Sequence, residues 1–186
     1  MSLNDNARVD DDGVTFTSIY DGQKLRFTPE DAVRTQEQLG ADIQMALDVC
    51  PALPAPESDV LRAMQRTHEW AARAKAVHQR DGQALFGIVQ GGIDPVLRKR
   101  SAKVLASLEF AGYGIGGLSV GESHREMMPA LSAAIAELPE DRPRYLMGVG
   151  DPVRIVDAIS VGVDMFDCVL PTRLARHGTV LTSQGK

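Results

Sequence analysis

"ALFGIVQGGIDPVLRKRSAKVLASLEFAGYGIGG", residues 84–117, holds two apolar runs with a helical segment between them, and that succession decides the fold. The first run, "ALFGIVQGG", is a strand that closes on an amide and two glycines. Asp94-Pro95 then supplies an N-cap acid followed by proline at the first helical position, and Leu97, Val104, Leu105 and Leu108 stripe the helix it opens. The second run, "AGYGIGGLSVGE", is a glycine-rich strand and loop. Strands joined by a helix pair in parallel, since a tight turn can return the chain only antiparallel.

The alternation continues on both sides. Upstream, a helix is expected over about Pro29 to Leu39, stopped by Gly40, and "ADIQMALDVC" follows as a short apolar strand ending at Asp48. After the proline-rich loop "PALPAP", Ser58 is expected to cap a long helix through about Gln79, with Val60, Met64, Thr67, Ala71 and Ala74 along one face. Downstream, Ser123 and Glu126 form a capping box for a helix bearing Met127, Leu131, Ile135 and Leu138. "RYLMGVG" is a strand, Asp151-Pro152 repeats the cap-then-proline device, and a short helix to about Ser160 leads to a last strand, "VDMFDCVL".

Apolar strands separated by helices point to an α/β fold, either a (β/α)8 barrel or an open doubly wound sheet. "GIGGLS" lacks the spacing of a dinucleotide fingerprint and no acid follows at the required distance, which favours the barrel. A closed barrel takes eight strands in typically about 250 residues. Five strands of this type in 186 residues make an incomplete TIM-type barrel.

Residues 1–12 are expected to form a polar tail, and residues 13–186 the partial barrel. Near its start, "VTFTSIYDGQKLRFT" alternates apolar and polar residues around Asp21-Gly22, which predicts an inserted β-hairpin on a type I′ turn.

The chain is 44% hydrophobic and 24% charged, as expected of a globular protein. No apolar run nears the roughly 20 residues of a membrane span, and the N-terminus lacks a signal-peptide core, so a cytoplasmic location is expected. Cys50 and Cys168 are too few for a disulfide framework, and His68, His78, His124 and His177 are scattered, so no metal site is expected. The net charge of −5 excludes a generally basic nucleic-acid binder but allows a local positive patch.

Barrel enzymes place their chemistry at the C-terminal ends of strands. Here those ends carry Asp48, Gln90, Gly116-Gly117, Met147-Gly148 and Asp167. Taken alone, Asp48 is better explained as a turn cap and Met147 as core filler. Gly114, Gly116 and Gly117 suit a bulge as well as a ligand. Asp167 is the least ordinary, because burying a carboxylate after "VDMF" is costly unless it is paired or used. Asp164 is expected to be structural.

The segments "MALDVCP", "FGIVQGG", "GYGIGGLSVGE", "RYLMGVGDP" and "GVDMFDCVLPTRLARHGT", in this order, resemble the tRNA-guanine transglycosylase (queuine tRNA-ribosyltransferase) family. The resemblance implies exchange of guanine at the tRNA wobble position for a 7-deazaguanine base. It makes Asp167 the nucleophile that attacks the ribose C1′ and Asp48 the acceptor for the base's N1–H and exocyclic amine. Gln90, Gly116 and Gly117 would lie along the ring carbonyl, with Gln90 and the Gly117 amide donating to it. The Leu118 backbone would face the 7-substituent and Met147 one face of the ring. Cys50 tilts the incoming base toward the aminomethyl precursor preQ1 rather than queuine. Two segments would contact the tRNA anticodon loop: one with Gly148, Gly150, Asp151 and Arg154, the other with Thr172, Arg173 and Arg176. Independently, Arg173, Arg176, His177 and Lys186 make a local basic patch.

The family's general acid/base aspartate and covering aromatic would lie upstream of this chain, and its zinc site downstream. The chain is therefore expected to be a central fragment, without a cofactor of its own and inactive alone. Family members are often dimers, which these residues do not assign. One alternative is a non-catalytic scaffold subunit that binds tRNA or a partner. Another is a barrel enzyme that binds phosphate at the glycine-rich loop.

Overall fold

A computed structural model describes residues 7–182 and 185. The chain begins with an antiparallel sheet of β1 (Ala7–Asp10), β2 (Gly13–Thr17) and β3 (Lys24–Phe27), in that order. Structure thus starts inside the segment expected to be a tail, and the element is three-stranded. Its polar residues form a strand because they have tertiary partners. The Asp10 carboxylate accepts from the backbone N–H of Asp12 (3.0 Å) and Gly13 (3.2 Å) and pairs with Arg26 at 2.5 Å. Arg66 binds Asp11 at 2.6 Å, and the Trp70 indole donates to the Asp11 carbonyl at 2.7 Å.

The turn between β2 and β3 departs from the expected type. Gly22 has a φ of 73°, but Asp21 does not share the positive φ that a type I′ turn requires. The connection is a longer loop, in which the Gly22 N–H donates to the Ser18 carbonyl (3.0 Å) and Asp21 accepts from the Gln23 N–H (3.2 Å).

The helices and strands that follow are α1 (Pro29–Leu39), β4 (Ile43–Met45), α2 (Glu57–Val77), β5 (Ala84–Val89) and α3 (Pro95–Ser107). Then come β6 (Gly112–Ile115), α4 (His124–Ile135), β7 (Arg144–Leu146), α5 (Pro152–Ser160), β8 (Met165–Phe166) and α6 (Leu170–Arg176). Thr28 and Asp31 cap α1, and Gly40 ends it in the left-handed region. Asp94, Ser123 and Asp151 cap α3, α4 and α5 as expected. Ser58 does not cap α2, which starts at Glu57 after Pro56 with no side-chain cap. Helix α6 was not anticipated, although Pro171 in its first turn and Gly178 (φ 69°) after it are ordinary start and stop signals.

The parallel sheet runs β4-β5-β6-β7-β8, every strand beside its chain neighbour. A doubly wound sheet would reverse this order at a switch point. Sequential order instead leaves a curled half-barrel of five strands, with helices packed on one face. The core fills that layer: Leu85, Val89, Tyr113, Ile115 and Leu146 from the sheet meet Ala71, Ala74, Leu105, Met127 and Leu131 from the helices.

The inner face is built differently. Alternate residues of β6 and the loop after it there are Gly112, Gly114 and Gly116, which lets neighbouring side chains lie across the strand. A Cβ on Gly112 would strike the Phe86 ring at 2.3 Å, one on Gly114 the Met45 methyl at 2.8 Å, and one on Gly116 the Gln90 amide at 2.8 Å. The bare strand carries apolar groups low in the sheet and polar ones at its C-terminal edge.

Candidate active site at the C-terminal edge of the sheet

The β4, β5 and β6 ends converge on a polar recess. Gln90, 2% exposed, donates from Nε2 to Asp48 Oδ2 at 2.6 Å. Its own N–H is held by Ser101 Oγ (3.2 Å), which also lies 2.9 Å from His68 Nε2. Burial drives the Asp48 carboxyl above the usual carboxylate range, with the Gln90 bond pulling the other way. Gly117 (φ 65°) must be glycine twice over: its backbone is left-handed, and a Cβ would lie 2.4 Å from Gln90 Oε1. That Cβ position is 3.4 Å from Cys50 Sγ, which puts the thiol on the same wall. Met45 and Met147 meet over Gly114 as an apolar floor.

Arg98 of α3 braces this wall. Its guanidinium donates to the carbonyls of Gly92 (2.6 Å), Val89 (3.0 Å), Gly116 (2.6 Å) and Gly117 (3.1 Å). Burial draws its pKa down to about 10, which leaves it charged at neutral pH.

At the β7 and β8 ends, Asp167 Oδ1 accepts from the Tyr145 hydroxyl and the Gly148 N–H, each at 2.7 Å. Oδ2 accepts no hydrogen bond from the described residues. Asp167 is exposed rather than buried as expected, because β8 is two residues long and no described strand pairs with its far side. Burial and the adjacent Asp167 carboxylate raise the Tyr145 pKa above the ordinary phenol value. Asp164 ties β8 to β7, accepting from the Arg144 N–H at 2.8 Å, which is the structural part expected of it.

A cavity of about 420 Å³ lies beside the recess, bounded by Leu53, Val60, Gly91, Gly92, Leu97 and Glu122. It includes neither Asp48 nor Asp167, and the convergence of polar groups makes the recess the better site.

With this geometry in place, the comparisons with known proteins decide the family. A family model described as queuine tRNA-ribosyltransferase matches residues 1–186. The chain belongs to the queuine tRNA-ribosyltransferase family. It is similar to proteins named queuine tRNA-ribosyltransferase from Halothermothrix orenii (51% identical over 186 residues, all of this chain and 50% of the relative) and Desulforamulus reducens (52% over 186 residues, likewise all and 50%). The relative of the same name from Synechococcus sp. is 52% identical over 181 residues, which are 97% of this chain and 49% of that protein. The chain thus spans about half the length of these curated relatives.

Within this member of the queuine tRNA-ribosyltransferase family, the structure brings together Asp48, Cys50, Gln90, Gly116, Gly117 and Met147. Leu118, next to Gly117 in the chain, turns its side chain into the core (2% exposed). The remaining candidates lie on the loop after β7, on α5 and on α6, before and after Asp167 in the chain. Gly148 donates to it, and Gly150 packs so closely on Cys168 that a Cβ would fall 1.9 Å from the cysteine's own. Asp151 caps α5 by accepting from the N–H groups of Val153 (3.1 Å) and Arg154 (3.2 Å). Thr172, Arg173 and Arg176 lie exposed on α6, the Thr172 hydroxyl donating to the Val169 carbonyl at 3.0 Å. The two arginines form no ion pair among the described residues. Lys186 lies outside the described residues.

Tyr145 and Arg98 were missed. The period-2 pattern of β7 puts Tyr145 on the same face as Met147, a usable signal. Arg98 sits in the buried helix stripe Leu97, Arg98, Ser101, Ala102, Leu105, where a cation among apolar and small residues marks a special duty.

Proposed function

We propose that this chain supplies the base-recognition wall and the nucleophile of a tRNA-guanine transglycosylase. The observation that carries this is the Asp48–Gln90–Gly117 constellation, whose acceptors and donors complement one edge of guanine. An ionised Asp48 accepts the N1–H and the exocyclic amine. The second Nε2–H of Gln90 and the Gly117 N–H donate to the ring carbonyl, and Met147 lies against a ring face. Adenine would leave those groups unpaired.

Asp167 is the nucleophile in this reading. Tyr145 and Gly148 hold Oδ1, which orients Oδ2 toward the ribose. A bond forms from Oδ2 to C1′ as the C1′–N9 bond breaks, and the electron pair leaves with guanine. A 7-deazaguanine base, deprotonated at N9, then attacks C1′ and releases the carboxylate, so two inversions retain configuration. In the family resemblance, proton transfer falls to an aspartate preceding the quoted motifs.

Cys50, whose thiol lies against Gly117, supports the aminomethyl precursor preQ1 as the incoming base through the family resemblance at that position. Exposed Arg173 and Arg176, close in sequence to Asp167, support contact with anticodon-loop phosphates, and the tRNA substrate supports a cytoplasmic location.

Incubation with unmodified tRNA followed by a denaturing gel tests the nucleophile. Asp167→Asn is expected to abolish a tRNA adduct that the unsubstituted protein forms, and equal adduct from both would remove Asp167 from this role.

A further inference from the structure

Arg98 has no part in the exchange just described, yet its side chain is fully buried (0% exposed) and, among the described residues, no carboxylate is in hydrogen-bond contact with it. Glu122, whose charge reaches it, is itself engaged by the N–H groups of Ser119 and Val120. A buried cation held by carbonyls alone is costly to keep, so what those carbonyls do is the question.

The consecutive carbonyls of Gly116 and Gly117 both point at the guanidinium, at 2.6 and 3.1 Å. In a planar trans peptide the N–H points opposite to the C=O. The grip on Gly116 O therefore turns the Gly117 N–H away from Arg98, and the grip on Gly117 O does the same for the Leu118 N–H. Neither N–H has a partner among the described residues. The left-handed Gly117, free of a Cβ, could rotate either peptide if it were released, and would then present a carbonyl where a donor now stands.

We propose that Arg98 is a positioning residue that makes the base site select a 6-oxo over a 6-amino purine, by locking the Gly116–Gly117 and Gly117–Leu118 peptides with their N–H groups toward the ligand. An aimed donor accepts a ring carbonyl and rejects an amine. Lysine cannot replace arginine here, since one ammonium cannot span the carbonyls of Gly92, Val89, Gly116 and Gly117 together. The inference rests on the base site proposed above.

The test is binding of 7-deazaguanine and of 2,6-diamino-7-deazapurine to the full chain and to its Arg98→Lys variant, with thermal unfolding in parallel. The unsubstituted chain is expected to prefer the oxo base at least tenfold. Arg98→Lys is expected to lose tenfold or more of oxo-base affinity while the diamino base changes less than threefold, so that selectivity collapses. Equal loss for both bases would leave Arg98 a merely structural part and overturn the proposal, as would unchanged selectivity. If the variant does not fold, amide NMR of the unsubstituted chain decides. Gly117 and Leu118 amides shifting with the oxo base and not with the diamino base support the proposal, and oxo-base binding that leaves them unmoved overturns it. Failure of the unsubstituted chain to bind either base would instead overturn the base-site reading beneath it.

Discussion

The two acids at the strand ends stand in opposite surroundings. Asp48 lies where three strand ends meet, bonded to a buried glutamine and backed by a helix that sends Arg98 through the wall. Asp167 follows a strand of two residues at the sheet edge, exposed, with a hydroxyl and a single backbone N–H on one oxygen. The difference matches their proposed work. Recognising a base demands several groups held in register, so interlocking helps. A nucleophile that must reach a ribose and then release it needs one fixed oxygen and one accessible one.

Three changes would break or sharpen this contrast. The largest effect is expected from Gly117→Ala, which meets both the left-handed backbone and the 2.4 Å approach to Gln90 Oε1. A stability loss of about 2 kcal/mol or more is expected in denaturant unfolding, together with loss of measurable 7-deazaguanine binding. Unaltered binding would show the wall to be less interlocked than described.

The second change is in pH. The Asp48 pKa is raised by burial, and the bidentate contact needs the ionised form. Base affinity is expected to be full above that raised pKa and to fall about tenfold per pH unit below it. Calorimetric titration from neutral to acidic pH checks this, and Asp48→Asn, weaker throughout, should flatten the profile.

The smallest effect is expected from Tyr145→Phe, which removes one of the two bonds orienting Asp167. Adduct formation should slow by about tenfold, the worth of one hydrogen bond to a charged group, with folding stability nearly unchanged at this exposed edge. A loss as large as that of Asp167→Asn would mean that the phenol takes part in the chemistry itself.

Much of this was legible without coordinates. Asp94, Ser123 and Asp151 announced their helices because capping is local chemistry, satisfied by residues two or three positions away. Asp48, Gln90, Gly117 and Asp167 could be singled out as candidates because barrel enzymes place their chemistry at the C-terminal ends of strands. The misses have the opposite cause. Ala7–Asp10 becomes a strand through Arg26, a partner 16 residues away. The Asp21 turn opens because its side chain accepts a hydrogen bond that a type I′ geometry would not need. Asp167 lies exposed because burial depends on what covers a strand, which no local pattern encodes.

The sequence by itself therefore determined the alternation of helices and strands from α1 to β8, the caps of α3, α4 and α5, the parallel sheet and which residues stand at its C-terminal edge, all of which follow from periodicity and backbone chemistry within a few positions. Tertiary structure alone decided that Gln90 and Asp48 share a hydrogen bond across 42 residues, that Gln90 Oε1 crowds Gly117, and that Arg98 aims two peptide units. These contacts join residues distant in the chain through particular distances and directions. A one-dimensional pattern carries residue types and spacings but not the directions in which peptide bonds point.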